Sequence, residues 1–416
     1  MRVIEASSST PTTTHQHRCP FHHQPAAVDQ KTALRWSSGA ALEGGPDGVW
    51  RVRDYRIARQ ILKSEQTRQA GFRAELLEHL EGRMRPPVLF QEGPAHHEQR
   101  RKTARFFTPK TVSSAYRGLM ETLADELIGE LQRRRRVDLS RLSMRLAVQV
   151  AAHVVGLTNS RLPGMDRRID AFFAQPPAGP GRHLGLALAA LRNQWRISLF
   201  YLLDVKPAIR VRRQQPREDV ISHLIGQGYR DHEILTECIT YGAAGMATTR
   251  EFISIAAWHM LEQPALRARY LAADEAERHA ILQELLRLEP VVGNLLRRAT
   301  ADLQVETEHG TVTIPAGALI DLQIHAANAD ESAVGAHGRQ ICLGRDLKAE
   351  GITPAGLSFG DGHHRCPGAY VAIQESDIFL QRLLALDGLR IIRPPTLTWN
   401  ELIKSYEVRT FIVALS

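Results

Sequence analysis

The run Phe359-Gly360-Asp361-Gly362-His363-His364-Arg365-Cys366-Pro367-Gly368 holds more chemistry than any other ten residues of this 416-residue chain. Three glycines surround one cysteine, and glycine, lacking a Cβ, lets backbone approach something broad and flat. An amphipathic helical run follows directly, from Ala369 to about Ala385. A cysteine at the start of a helix meets unpaired N–H groups and the positive end of the dipole, and both favour the thiolate. Such a thiolate suits one task well, the axial ligation of haem iron. Zinc would want further ligands at short spacing, yet Cys19, Cys238, Cys342 and Cys366 form no CxxC pair. A buried structural cysteine is common, but it has no need of three glycines and a histidine around it.

The decapeptide matches FGxGx(H/R)xCxG at every fixed position and so resembles the haem-binding loop of the cytochrome P450 family. The resemblance implies that Cys366 is the metal ligand of a haem b, with Phe359, Gly360 and Gly368 shaping the loop around it. It also implies that His364 reaches a haem propionate.

Other segments follow the family's order. Residues from about His232 to Glu262 have helix-forming composition, enough for a rod of roughly 45 Å at 1.5 Å per residue. In its middle lies Gly242-Ala243-Ala244-Gly245-Met246-Ala247-Thr248-Thr249. Glycines inside a helix cost stability and mark a close approach or a bend. The stretch resembles the family's oxygen-binding segment, which implies that Ala244 lies beside the haem and that Thr248 hydrogen-bonds iron-bound oxygen. One departure stands out. The family has an acid immediately before that threonine, and this chain has Ala247. Glu251, one turn beyond, is a candidate substitute relay through water. Alternatively the substrate supplies a polar group, or the chemistry differs from simple hydroxylation.

Glu284 and Arg287 are three apart in the helical run Ala280–Glu289 and share one face. They resemble the family's buried ExxR pair, with Arg345 in the place of a third member supporting the haem core. Arginine suits carboxylates through its planar fork. The resemblance assigns His96 and Arg100, spaced HxxxR after Pro94, and Arg297, in an RxAxxD segment, to the haem propionates. His97 and Arg101 offer the same spacing one residue later. Short strands are expected at Leu303–Val305, Thr311–Ile314 and Leu319–Ile324, with a final pair near Leu389–Ile392 and Thr410–Leu415.

The fold class is therefore mainly α with small β-sheets, the cytochrome P450 fold. Residues 1–30 are polar, carry His15, His17, Cys19, His22 and His23, and are expected to be a disordered tail. A metal site from His17, Cys19 and His22 is a second reading of that tail. Residues 31–416 are expected to form a single haem domain, since no Pro/Ser/Gly-rich linker divides them. No apolar run is long enough to span a membrane, and the N-terminus lacks the apolar core of a signal peptide. Four scattered cysteines suit a reducing cytoplasm.

The formal charge is +8 and the cations are mostly arginine. Because that charge is spread along the chain, nucleic acid is not the expected partner, and the run Arg133–Arg136 reads as a solvated helix end. The resemblance implies docking of an acidic ferredoxin near the cysteine loop, where Arg365 and its neighbours would meet it. No flavin or ferredoxin segment is present, so a ferredoxin and a ferredoxin reductase are the implied electron donors.

Five stretches are expected to line a mostly apolar substrate pocket: Arg83–Phe90, Ala171–Trp195, Ala243–Thr248, Val291–Leu296 and Leu402–Tyr406. Ala243, Met246, Ala247, Val292 and Asn294 are the candidate contacts, and Pro176-Pro177 with Gly179 suggest a loop at the entrance. The function implied is insertion of one oxygen atom from O2 into an apolar small molecule, in secondary metabolism. Ala247 prompts an alternative, a member with altered chemistry such as peroxide-driven oxidation, nitration, desaturation or oxidative coupling. A haem-binding sensor or carrier is the non-enzymatic alternative, and the retention of Thr248 weighs against it.

Overall fold

The computed structural model describes residues 30–32, 39–72, 85–173, 182–345, 347, 351–401 and 404–416. The side chains of 172, 173, 182–190 and 243 are outside that description. Almost all of the expected tail, Arg83, Pro176-Pro177, Gly179 and Leu402 therefore lie outside the described residues.

The chain enters through a short hairpin, β1 (Leu42–Gly44) and β2 (Val49–Val52). Helix α1 (Tyr55–Lys63) follows, started by the Asp54 carboxylate, which accepts from the Ile57 N–H at 2.7 Å. Tyr55, Ile57, Ala58, Ile61 and Leu62 make its buried face. Strand β3 (Thr67–Ala70) leads to α2 (Gly93–Thr103), where Pro94 occupies the first turn and its missing N–H costs nothing. Helix α3 (Arg117–Arg134) ends at Arg135 in the left-handed region. Strand β4 (Arg136–Asp138) hands over to α4 (Leu139–Val155), which Gly156 terminates at φ +100°.

Helices α5 (Met165–Phe173), α6 (Arg182–Phe200), α7 (Lys206–Gln214) and α8 (Val220–Gly226) come next. The expected long rod runs from α9 (Asp231–Gly242) through a π-helical segment, Ala243–Ala247, into α10 (Thr248–Glu262). It stops before Pro264, which opens α11 (Pro264–Ala272). Helix α12 (Glu275–Leu288) begins five residues earlier than the apolar pattern suggests, because Asp274 caps the Glu277 N–H at 2.8 Å.

Strands β5 (Asn294–Ala299), β6 (Leu303–Thr307), β7 (Gly310–Ile314) and β8 (Leu319–Gln323) precede α13 (Ala369–Leu384). The chain closes with β9 (Leu389–Arg393), β10 (Thr396–Asn400), β11 (Ser405–Arg409) and β12 (Ile412–Leu415). Among the described residues the largest sheet has the order β1-β2-β8-β5-β3, with β2 and β8 parallel and the other neighbours antiparallel. Smaller sheets are β4-β12-β9, β6-β7 and β10-β11.

One core cluster surrounds α9, α10, α4 and α13, while a second lies between α1 and the largest sheet. The start of the described chain is fastened to the first. Glu289, fully buried, accepts from the backbone N–H of Lys31 at 2.5 Å and of Thr32 at 3.1 Å, and pairs with His259 at 2.8 Å. The Lys31 ammonium lies 4.4 Å from the Trp258 ring centre and pairs with Glu262 at 2.5 Å, so the Glu289 bonds are not alone in holding this segment.

Candidate active site

The cysteine loop turns twice through the left-handed region, at Gly360 (φ +67°) and Gly362 (φ +66°). A Cβ at Gly362 would sit 2.3 Å from the Leu62 carbonyl oxygen, so the loop presses against the end of α1. Asp361 holds it there by accepting from the Gly362 N–H and pairing with Arg59, both at 2.8 Å. The Cys366 N–H donates to the Phe359 carbonyl at 2.8 Å, closing the loop. The Gly368 N–H is directed at the Cys366 thiol, and a Cβ on Gly368 would lie 4.0 Å from Sγ.

Cys366 is open on one side yet deep enough that burial pushes its thiol up. Both hold together when a thiol faces an internal cleft. The Gly368 N–H, Arg100 and Arg365 pull the other way but do not win. Burial thus favours the neutral thiol, and a metal cation bound at Sγ would favour the thiolate.

Beside the loop, α2 and β5 bring a group of cations together. His96 stacks on His364 with ring centres 4.1 Å apart. His364 Nε2 lies 3.0 Å from Glu92 Oε2. Burial would lift Glu92, but His364 brings it below the usual carboxylate range. Burial lowers His96 to about 3, and its Nδ1 is buried without a hydrogen-bond partner among the described residues. Arg297, 3% exposed, donates to the Gln69 side chain, and burial brings its guanidinium down to about 10. Arg100 donates to the Arg365 carbonyl and is likewise lowered by burial.

Neither guanidinium forms an ion pair among the described residues, and Glu92 is the single carboxylate against these cations. Buried charges left uncompensated cost several kcal/mol each, on the order of 3–5 kcal/mol when a partner is missing. The cluster therefore fits a group that carries two carboxylates of its own and an electrophilic metal facing Cys366, as haem does.

On the opposite wall, the Thr248 hydroxyl donates to the Ala244 carbonyl at 2.5 Å. The π segment takes that carbonyl out of the ordinary helical ladder, a distortion frequent at functional sites. Ala244 is exposed and Thr248 half-buried, although both lie midway along the rod. Gly245 lets α4 come close, since a Cβ there would be 3.5 Å from the Ala151 Cβ.

Below, Glu284 and Arg287 form a two-pronged pair at 2.7 and 2.8 Å, and Arg345 joins Glu284 at 3.0 Å. Arg287 also reaches the carbonyls of Asn328 and Gly338, both at 2.7 Å. The Cys342 N–H gives Glu284 a further bond at 2.9 Å.

Residues 278–386, which span the Glu284–Arg287 pair and the cysteine loop, match the family model described as cytochrome P450. The chain belongs to the cytochrome P450 family. It is 28% identical to the cyclomarin C epoxidase CymV of Salinispora arenicola over 80% of this chain and 82% of that one. The erythromycin C-12 hydroxylase of Saccharopolyspora erythraea is 26% identical, over 88% of this chain and 89% of its own. The solved structure of the P450 enzyme CYP109B1 from Bacillus subtilis superposes with a TM-score of 0.74 at 22% identity, covering 90% and 96% of the two chains. The protein has the P450 fold, mainly helical with small sheets, and as a family member it is an oxidoreductase carrying a thiolate-ligated haem b. Among the described residues no helix is long and apolar enough to cross a membrane.

Several sequence assignments do not survive in this P450. Glu251 is not placed as a proton relay. Only 1% exposed, it is held by Arg250 at 2.5 Å, by Arg409 at 2.7 Å and by the Val408 N–H at 2.6 Å, so its oxygens are committed to β11. Met246 and Ala247 are not cleft contacts either. At 0% and 1% exposure they pack into the larger core, because the rod turns Ala244 and Thr248 toward the opening instead.

Asn294 donates to Asp321 at 2.8 Å across the sheet, and strand alternation puts it on the opposite face from Arg297. Leu295 shares the Arg297 face, and its Cδ1 is 3.8 Å from where a Gly360 Cβ would stand. Period-two alternation around Arg297 was the signal for it. Val292 forms a bridge with Ser405, beside the tip of the β10–β11 hairpin. Nothing in the sequence pointed to Glu92. Glu233 and Glu237, which accept from the backbone N–H groups of Arg85 and Val88 at 3.0 Å each, were equally hidden.

Proposed function

We propose that this P450 is a haem-thiolate monooxygenase that inserts one oxygen atom from O2 into an apolar small molecule of secondary metabolism. When bound, the haem supplies O2 activation and the oxidising chemistry. The observation that carries the reading is the placement of the open Cys366 thiol beside the buried Arg297 and the partly buried Arg100, neither of which has a carboxylate ion-pair partner among the described residues.

In this reading Cys366 ligates the iron, and the Gly368 N–H steadies its sulfur. Arg100, Arg297, His96 and His364 hold the two propionates, which takes the place of missing counter-charge. Phe359, Gly360 and Ala244 bound the space the macrocycle occupies, while Glu284, Arg287 and Arg345 support it from below. Thr248 offers Oγ1 to the cleft, where a hydroxyl both accepts and donates, so it would hold and pass on a proton. Leu295 and Val292 present apolar surface to the substrate.

Relatives that act on cyclomarin C and erythromycin support a substrate of the secondary-metabolite class. Electrons would come from a separate ferredoxin and reductase, in the cytoplasm, and residues 31–416 would act as one haem domain. A second reading, peroxide-driven or otherwise altered chemistry, is favoured by one observation. Ala247 is sealed in the core and Glu251 is committed elsewhere, so neither supplies a proton next to Thr248.

The absorption spectrum of the dithionite-reduced protein under carbon monoxide tests the proposal. A strongly red-shifted Soret band that Cys366→Ser abolishes is expected, and a band typical of histidine-ligated haem would overturn it. Thr248→Ala should then separate the two readings. Lost product with released peroxide supports O2 activation, whereas undiminished turnover with peroxide alone favours the second.

A further inference from the structure

Arg85-Pro86-Pro87-Val88-Leu89-Phe90-Gln91-Glu92 runs between the two walls of the cleft. At its far end Glu92 accepts from the Gln69 N–H at 2.7 Å and meets His364 of the cysteine loop. At its near end two carboxylates of α9, one turn apart, hold it. Glu233 accepts from the Arg85 N–H and Glu237 from the Val88 N–H, both at 3.0 Å. The same rod carries Ala244 and Thr248 about two and three turns beyond Glu237. The segment itself is stiff. Pro86 and Pro87 fix φ, the Phe90 N–H donates to the Pro87 carbonyl at 2.9 Å, and the Gln91 amide donates to the Pro86 carbonyl at 2.8 Å. A strap built this way moves as one piece.

The two carboxylates are not alike. Glu233, buried, has a second donor in the Arg230 N–H at 2.8 Å. Burial would lift it, but the Arg230 and Arg85 N–H groups bring it below the usual carboxylate range. Glu237, 1% exposed, has Val88 alone, and its Oε2 is buried without a hydrogen-bond partner among the described residues. An ionised carboxylate offers about four acceptor sites, and in so enclosed a place most of them would stand empty. Burial accordingly lifts Glu237 to about 8. No cation among the described residues offsets this. Tyr229, Cys238 and Tyr241 face it, and burial keeps their protons on as well. Arg85 lies 4.8 Å from the Tyr229 ring centre and donates to the Gln227 carbonyl at 3.3 Å. Arg100 acts on Tyr241, and Asp219 on Cys238.

Ionisation of Glu237 favours any arrangement that gives its oxygens water. Release of the strap does so by breaking one bond, that to Val88, while Glu233 keeps Arg85 and Glu92 keeps Gln69 and His364. A stiff segment pinned at both ends can turn about the line that joins them. We propose that Glu237 is a proton-operated latch: neutral, it holds residues 85–92 against α9 across the cleft, and ionised, it lets them turn outward and admits bulky apolar ligands to the Cys366 side. The access half of this proposal rests on the haem reading of the cleft given above. The closed strap holds a proton that the open one releases, so opening is favoured as pH rises from 4.5 to about 8 and gains little beyond.

The test is amide hydrogen exchange over residues 85–92 of the full-length, haem-containing protein from pH 6 to pH 9, corrected for the intrinsic pH dependence of exchange. Protection is expected to fall at least tenfold from pH 6 to pH 8 and less than threefold beyond. E237Q has no proton to lose, and its protection should stay level. E233Q should lower protection at every pH and keep the wild-type slope. Should E237Q fail to fold, the binding rate of 1-benzyl-1,2,4-triazole, a ligand uncharged over this range, is measured on the wild type instead. That rate should rise at least tenfold from pH 6 to pH 8, while the rate for carbon monoxide, small enough to pass the strap, should change less than twofold. The carbon monoxide spectrum reports the haem separately, and the exchange readout does not depend on it. The proposal is overturned by level protection in the wild type, by the wild-type slope persisting in E237Q, or by equal rises in rate for both ligands.

Discussion

Arg100 donates a hydrogen bond to the carbonyl oxygen of Arg365, so the helix that carries His96 is fastened to the residue just before Cys366. The same guanidinium acts on the thiol through space, pulling against its desolvation. Arg100→Ala removes a charged hydrogen bond whose loss costs about 1.5–3 kcal/mol. Haem transfer to an apo-globin acceptor should then accelerate roughly ten- to a hundredfold. Arg100→Lys should recover only part of this, because an ammonium lacks the fork that serves a carbonyl and a carboxylate together. Transfer at the wild-type rate in both variants would refute the clamp.

Glu284 takes bonds from Arg287, Arg345 and the Cys342 N–H. Glu284→Gln strands two enclosed guanidiniums, for a loss of about 3–5 kcal/mol, read as a lowered urea midpoint in protein with and without haem. Arg345→Ala leaves the Glu284–Arg287 pair whole, and two of the carbonyls it serves, on Ala336 and His337, belong to exposed residues. A smaller loss is therefore expected, and equal losses would contradict this ranking.

Glu251 binds Arg250, Arg409 and the Val408 N–H, joining α10 to β11. Glu251→Gln should lower thermal stability yet leave the solvent isotope effect on turnover where it was. Arg409→Ala should reproduce much of the stability loss, and the double variant should fall short of the sum, since neighbours sharing one interaction are not additive. A changed isotope effect would restore the relay role this geometry denies.

Glu237 offers a pH signature. Burial lifts its carboxyl to about 8 despite the bond from the Val88 N–H, whereas an unburied glutamate titrates at 4.5. Between those values the folded chain holds a proton that the unfolded chain has released, so stability falls as pH rises from 4.5 to about 8. Glu237→Gln keeps an acceptor for Val88 and has no proton to lose. Its unfolding midpoint should decline less over that window and exceed the wild-type value at pH 8; parallel profiles would refute the assignment.

What could be read from the sequence was what local rules govern. The extended α9–α10 rod, α13 and the strands β6 to β8 follow from composition and turn signals, and the cysteine loop from its glycines. Strand β3 was illegible because Thr67-Arg68-Gln69-Ala70 has no apolar alternation; it exists because β5 offers it an edge. Glu251 misled for a related reason. Spacing put it one turn from Ala247, but the partner that claims it, Arg409, is 158 residues away, and no helical rule reports such a contact. Ala247 and Met246 misled because the π segment changes the phase of the helix just where facing mattered.

The anchoring of Lys31 and Thr32 on Glu289 also decides where this chain tolerates shortening. Trimming that stops before Gln30, whose amide donates to the Leu288 carbonyl at 2.7 Å, leaves every one of these bonds intact. Trimming three residues further removes the donors from a carboxylate with no access to water, beside His259, directly after the helix that carries Glu284 and Arg287. Removal of residues 1–32 should therefore lower the unfolding midpoint well below that left by removal of residues 1–29.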